Sequence, residues 1–162
     1  MKGILGSVAF LTLPFSNVIK VKRRFENPTS ASFKFNNCLW ISPNVGGVFQ
    51  ENDVIFPRGD KIFHFKRAEG FAVSSVEPEK GWAVVVNRNK KQSLGVIVGN
   101  TGRSTILSLD IGKTMLELFV ISRVLLLPKE TCEFEDFVLL GDEKYESIDK
   151  MATVLRNQRT HV

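Results

Sequence analysis

Met115 to Leu140 reads MLELFVISRVLLLPKETCEFEDFVLL and is the most apolar stretch of the chain. It divides into two strands, Leu116–Leu127 and Thr131–Leu140, joined at Pro128-Lys129-Glu130. The first is apolar at nearly every position, unlike a strand on a sheet with one wet face. The expectation is therefore a strand central in a core. Pro128 has no N–H to give to a ladder, so the pairing should stop there.

Working outward from this ribbon, the preceding chain is a series of short strands broken by turn residues. Gly6–Leu13 is read as the first. Asn17–Glu26 alternates, with Ile19, Val21, Arg23 and Phe25 on one side and Val18, Lys20, Lys22, Arg24 and Glu26 on the other. Asn27-Pro28-Thr29-Ser30 supplies turn chemistry. Ala31–Ile41 alternates again, then Ser42–Gly47 forms a loop. Asp53–Phe56 and Lys61–Lys66 read as a hairpin across Pro57-Arg58-Gly59-Asp60. In the last four residues the Arg-Gly-Asp tripeptide is better explained as turn residues than as an adhesion signal. Phe71–Val76, Trp82–Val86, Ser93–Val98 and Thr105–Leu109 complete the set. After Leu140 the period changes. Tyr145, Ile148, Met151, Ala152 and Leu155 recur at helical spacing, which predicts an amphipathic helix over about 143–158, with Asp142 as N-cap and a frayed tail to Val162. The whole, 1–162, is read as one all-β domain: an antiparallel β-sandwich of about ten strands with a single C-terminal helix.

Composition narrows the function classes. The chain has 162 residues, 43% hydrophobic and 24% charged, with a net charge of +5, ordinary values for a globular protein. Thirteen Phe against one Tyr and two Trp suggest rings chosen for core area rather than for a polar handle. The positive balance is compatible with nucleic acid, acidic polysaccharide or an anionic surface. A solvated basic face is the plain alternative, since no block of five like charges occurs. Cys38 and Cys132 both fall in strands, so a bridge between facing sheets is conceivable, but two buried free thiols are expected. No CxxC and no Cys–His ligand spacing is present, so no metal or other cofactor is implied. No run reaches the roughly eighteen apolar residues that span a bilayer. The amino terminus has an apolar run but no small-residue cleavage site, so a cytoplasmic location is expected.

Two constellations invite a functional reading. On the second face of Ala31–Ile41, Trp40 stands with Lys34 and Asn36. A Trp among polar groups can stack on a sugar ring while its neighbours donate hydrogen bonds. Arg23, on the apolar side of its strand, either snorkels at a sheet edge or lines the same concave surface. Packing beneath a loop is the competing explanation for Trp40. The second constellation is basic: Lys20, Lys22 and Arg24 on one strand face, and Arg88, Lys90 and Lys91 at a hairpin tip. Gly99-Asn100-Thr101-Gly102 fails as a phosphate loop, because no GK[ST] follows and no helix presents its amino terminus. His64 has no acid, base or nucleophile at catalytic spacing.

Three short motifs carry a family resemblance. Arg24-Phe25-Glu26-Asn27-Pro28-Thr29, followed by Trp40 and Gly46-Gly47, resembles the strand and loop of galactose mutarotase-like supersandwich domains. Gly81-Trp82-Ala83-Val84-Val85 is similar to a later strand of that group. Leu127-Pro128-Lys129-Glu130 resembles its late L-P-x-G-E turn, with the glycine missing. The resemblance covers the latter half of a complete family domain. It implies a large antiparallel sandwich of the kind found in sugar epimerases and as accessory domains of glycosidases and polysaccharide lyases. The acid and base of the epimerases have no clear equivalents: His64 lacks the motif, and Glu117 is the one carboxylate in the right region, too close to the proline turn. If buried, Glu117 would be a candidate for a raised pKa.

These readings leave a carbohydrate-related sandwich that binds through Trp40, Asn36, Lys34 and Arg23 and has no assigned catalytic residues. The alternatives are a structural or oligomerisation module, a remnant epimerase or lyase pairing His64 with Glu117, and a polyanion binder. Carbohydrate is the expected partner, a homo-oligomer is conceivable, and nucleic acid and membrane are not expected.

Overall fold

The computed structural model describes residues 3–12, 14, 16–43, 45–46, 48–66, 73–76, 80–99, 105–112, 116–141 and 146–157. Eleven strands are present among them: β1 Leu5–Thr12, β2 Val18–Glu26, β3 Phe33–Ile41, β4 Asn52–Arg58, β5 Lys61–Phe65, β6 Val73–Val76, β7 Trp82–Asn87, β8 Gln92–Val98, β9 Thr105–Ile111, β10 Leu116–Leu126 and β11 Thr131–Gly141. One helix, α1, spans Glu146–Asn157, inside the range that the apolar spacing predicts. Asp142, expected as its N-cap, Tyr145 and the tail from 158 lie outside the described residues.

The strands form two antiparallel sheets. The larger has the order β1-β2-β11-β8-β7-β4-β5, and the smaller β3-β10-β9-β6. Their facing sides enclose one core, in which Val54, Phe56, Ala83, Val85, Val96 and Val98 meet Leu107, Leu109, Ile111, Leu116, Leu118 and Val120. The other face of the larger sheet is covered in its middle by α1. There Ile148 and Ala152 pack with Ile55, Trp82, Val84, Val86, Ile97 and Phe137. The Trp82 indole N–H donates to Asp149 Oδ1 at 3.0 Å and fastens the helix. Gly95 makes room for it, because a Cβ there would collide with Ile148 Cδ1.

The opening ribbon is built differently from its sequence reading. β10 and β11 do not pair with each other: β10 lies in the smaller sheet between β3 and β9, and β11 in the larger between β2 and β8. The turn between them carries the chain from one sheet to the other. Nor is β10 buried on both faces. Leu116, Leu118, Val120, Val124 and Leu126 are in the core, whereas Arg123 and Leu125 on the opposite face are exposed. The strand enclosed on both faces is β7, all of whose residues are buried, with the sandwich on one side and α1 on the other. Its run of valines has the composition that two dry faces require. The apolar residues on the outer side of β10 therefore serve no core.

The two turns at one end of the sandwich explain two of the motifs. Asn27 is fully buried, and its Nδ2 donates to Ala31 O at 2.6 Å and Leu127 O at 2.8 Å. Its Oδ1 accepts from Thr29 N and Thr29 Oγ1, and its backbone N–H reaches Glu130 O at 2.9 Å. Lys129 Nζ donates to Pro28 O. The Asn-Pro-Thr turn and the Leu-Pro-Lys-Glu turn thus lock each other. Lys129 has φ 63°, a left-handed conformation that glycine would adopt without strain.

Phe side chains are less uniformly internal than their number suggests. Phe56, Phe134 and Phe137 are buried, whereas Phe10 and Phe63 are exposed. No described helix is long and apolar enough to cross a membrane.

Candidate functional site

The outer face of the smaller sheet is where the surplus apolar residues of β10 emerge. Alternation fixes its membership: Lys34, Asn36, Cys38 and Trp40 from β3; Glu117, Phe119, Ile121, Arg123 and Leu125 from β10; Ile106, Ser108 and Asp110 from β9. Register arranges them in rows across the strands. Trp40, Phe119 and Ser108 form one row, and Cys38, Ile121 and Ile106 the next. Asn36 stands opposite Arg123, and Lys34 opposite Leu125. At the other end Glu117 stands opposite Asp110.

Trp40 is 63% exposed. Its ring lies nearly parallel to that of Phe119, with 6.2 Å between centroids and 20° between planes. This cross-strand pair supports the indole from one side and leaves the rest of it open to solvent. Helix α1 packs on β7 and β8 of the other sheet, so it does not cover Trp40. The loop after β3 does not join the platform through Val45, which turns into the core; Asn52 and Asn87 bind the carbonyl of Gly46 at 3.1 and 2.7 Å. Trp40, Asn36 and Lys34 are therefore together on an open face. Phe119, Ile121, Arg123, Ser108 and Asp110 belong with them and were not expected there. Two-residue alternation in β9 and β10 marks them, but which side of those strands is dry becomes known only from the pairing.

Arg23 is elsewhere. It is 3% exposed and lies between the sheets, where its guanidinium pairs with buried Asp136, donates to Asn37 Oδ1 at 3.1 Å and sits 5.7 Å from the centroid of the Phe134 ring. Asp136 also accepts from Gly99 N at 3.1 Å. Arg23 falls on the apolar side of β2 because it fills a polar pocket inside the sandwich, not because it lines a ligand surface. Gly99 is required for close approach: a Cβ there would overlap the Glu135 carbonyl. Asn100 to Gly102 lie outside the described residues.

The basic stripe of β2 is neutralised across the strands. Lys20 and Lys22 reach Glu135 at 3.4 and 3.0 Å, and Arg24 reaches Glu133 at 3.6 Å and Glu26 at 3.9 Å. Partial burial pushes the Glu135 carboxyl up, but its hydrogen bond to Lys22 and the charge of Lys20 outweigh this and hold it below its ordinary value. The same Glu135 raises Lys22. A shallow depression of about 180 Å³ beside this stripe is lined by Ser7, Ala9, Lys22, Arg23, Arg24 and Glu133. At the β7–β8 tip Arg88 pairs with Asp53 at 3.6 Å, while Lys90 and Lys91 are exposed. The six basic residues do not form one continuous positive surface, because β11 and β8 separate β2 from β7.

His64 and Glu117 are not brought together. His64 pairs with Ile55, whose side chain packs on the α1 side of the larger sheet, so His64 is on that outer face. Glu117 is on the outer face of the smaller sheet, across the thickness of the sandwich. One ligand cannot touch both, which removes the acid–base pair of an epimerase remnant. The cysteines are both free: Cys132 is buried, whereas Cys38 is exposed on the Trp40 face rather than turned toward it. Partial burial nevertheless raises the Cys38 thiol, against the opposing charge of Arg23. Among the described residues no group of His, Cys, Asp and Glu could hold a metal ion.

No family model matches the chain, and no curated protein matches it significantly. Solved structures do share its fold. A TPR-domain-containing protein from Parabacteroides distasonis is similar over 87% of this chain and 31% of its own, with TM-score 0.67 and 10% identity. The Slr1438 protein from Synechocystis sp. PCC 6803 is similar over 85% and 55%, with TM-score 0.60 and 8% identity. An α-galactosidase from Lactobacillus brevis is similar over 90% and 22%, with TM-score 0.59 and 11% identity. The chain thus spans about a third, a half and a fifth of these proteins, and at such identities the likeness is one of fold.

Proposed function

We propose that this protein is a carbohydrate-related β-sandwich that binds a glycan on the outer face of β3, β10 and β9 and performs no chemistry on it. The observation that carries the reading is Trp40, exposed and braced by Phe119, with Ser108 in the same row and Asn36, Arg123 and Asp110 farther along the same face. A flat aromatic surface with hydrogen-bonding groups at its margin suits the apolar face of a pyranose and its ring of hydroxyls. The galactose mutarotase-like motifs and the α-galactosidase among the structural neighbours point the same way. A glycan array tests it. Retention that falls at least about tenfold in Trp40→Ala, a loss of some 1.4 kcal/mol, supports the reading. No retention, or retention indifferent to that substitution, overturns it.

A second reading, self-association, is favoured by a different surface. Every residue of β1 is exposed, none is charged, and Leu5, Val8, Phe10 and Leu11 are among them. Among the described strands β1 pairs only with β2 and so ends the larger sheet in an apolar edge. Antiparallel pairing with β1 of a second copy would satisfy it without opposing any like charges.

A further inference from the structure

Two groups of surface charges among the described residues differ in their pairing. On the outer side of β2, Lys20, Lys22 and Arg24 are matched by glutamates of β11, and at the hairpin tip Arg88 is matched by Asp53. On the open face around Trp40, Lys34, Arg123, Asp110 and Glu117 make no ion pair with any described residue. These unmatched charges are sorted by sign. Arg123 and Lys34 stand at one end of the platform, and Asp110 opposite Glu117 at the other, with Trp40 and Phe119 nearer the acidic end. An antiparallel strand rises about 3.4 Å per residue, so Arg123 is roughly 14 Å along β10 from Phe119, and Glu117 roughly 7 Å in the other direction.

We infer that the ligand of this face is an acidic oligosaccharide chain rather than a neutral sugar. It lies along β10 with one ring on Trp40, its carboxylate or sulfate group at Arg123 and Lys34, and hydroxyls of its other end donating to Asp110 and Glu117. The inference rests on the carbohydrate reading and adds the class and direction of the ligand. The distance from the aromatic pair to the cations exceeds one pyranose ring, so a chain is needed to use both. A guanidinium with no ion-pair partner among the described residues and Asn36 directly across from it offers charge-assisted hydrogen bonds to an anionic substituent. The acidic pair repels that substituent from the opposite end, which fixes the chain's orientation. The same pair disfavours nucleic acid, whose uniformly charged backbone would cross Asp110 and Glu117.

The test uses sialyllactose and aldotetraouronic acid, oligosaccharides with a single acidic ring at one end, each compared with its methyl ester, which keeps the sugar backbone and removes the carboxylate charge. Calorimetric titration at fixed ionic strength is expected to show the acid form bound about tenfold or more tightly than the ester. Lys34→Gln with Arg123→Gln should reduce the acid form to the level of the ester and leave ester binding unchanged. Lys90→Gln with Lys91→Gln removes the same net charge from the hairpin tip and should change neither. Trp40→Ala should lose both. Equal binding of acid and ester, failure to bind either acid while neutral glycans are retained, or an acid preference that the tip substitutions reduce as much, overturns the inference and leaves the carbohydrate reading standing. Retention of no glycan at all overturns that reading and the inference with it. A single-stranded oligonucleotide that outcompetes the acidic glycans overturns the ligand class.

Discussion

Arg23 and Asp136 meet between the two sheets, 113 positions apart in sequence and both almost wholly removed from water. Asn37, Gly99 and the Phe134 ring complete the surroundings of the pair. Removing one partner leaves the other charge buried and unmatched, at a cost of about 3–5 kcal/mol. Arg23→Leu should therefore lower the urea midpoint sharply, and Arg23→Leu with Asp136→Leu should recover much of the loss. A double variant no more stable than the single would show that the pair is not what Arg23 provides.

Asn27 joins the two turns at one end of the sandwich through hydrogen bonds to Ala31, Leu127 and Thr29. Asn27→Ala leaves the partly buried carbonyls of Ala31 and Leu127 and the Thr29 amide without their partner and should cost about 1–3 kcal/mol by chemical denaturation. Lys129→Gly tests the neighbouring turn with the opposite sign. Relief of about 1–2 kcal/mol of left-handed strain exceeds glycine's added chain entropy of about 0.5–1 kcal/mol. A small gain is expected, reduced by the lost bond from Lys129 to Pro28. A loss on Lys129→Gly would show that this bond outweighs the strain.

The Glu135 pairing gives a pH signature. Its carboxyl is held below the ordinary value of 4.5, so the folded state binds that proton less readily than the unfolded chain does. The resulting stability is present above 4.5 and is lost as pH falls through the lower folded value. Glu135→Gln should cost under about 1 kcal/mol at neutral pH, since the group is partly solvated. The difference from the parent should vanish as the solution is acidified below that range. A difference constant with pH would assign the effect to packing.

Gly95→Ala places a methyl group against Ile148 and should push α1 off the larger sheet, at about 1–3 kcal/mol. Hydrogen exchange should rise in Glu146–Asn157 and at the Trp82 indole, which Asp149 holds at 3.0 Å, while the core between the sheets stays protected. Unchanged exchange in the helix would mean that the sheet absorbs the methyl instead.

The strands were legible in the sequence because alternation and turn chemistry are local properties. The edges of Trp82–Asn87, Thr131–Gly141 and the helix lie within a residue or a few of their expected positions. Pairing was not legible. Nothing local in Leu116–Leu126 distinguishes a strand buried on both faces from one whose outer face is a platform, and nothing local in Thr131–Gly141 tells it to join the other sheet. The site was legible in part for the same reason. Trp40, Asn36 and Lys34 share a face by their spacing alone, whereas their companions on β10 and β9 depend on register. Arg23 misled because an interior cation looks like a concave-surface cation until its carboxylate, 113 positions away, is known.

The position of β11 has a consequence for the order of assembly. It is the last of the described strands, yet it lies in the middle of the larger sheet, between β2 and β8. Until it is made, the hairpin of β1 and β2 has nothing in that sheet to join, and the β8 edge of the β4-β5-β7-β8 unit stays bare. During synthesis the amino-terminal hairpin must wait, with the edge of β2 open to other chains, for a segment more than a hundred residues downstream. The strand that joins the two parts of the sheet thus also decides when the β2 and β8 edges cease to be open to other chains.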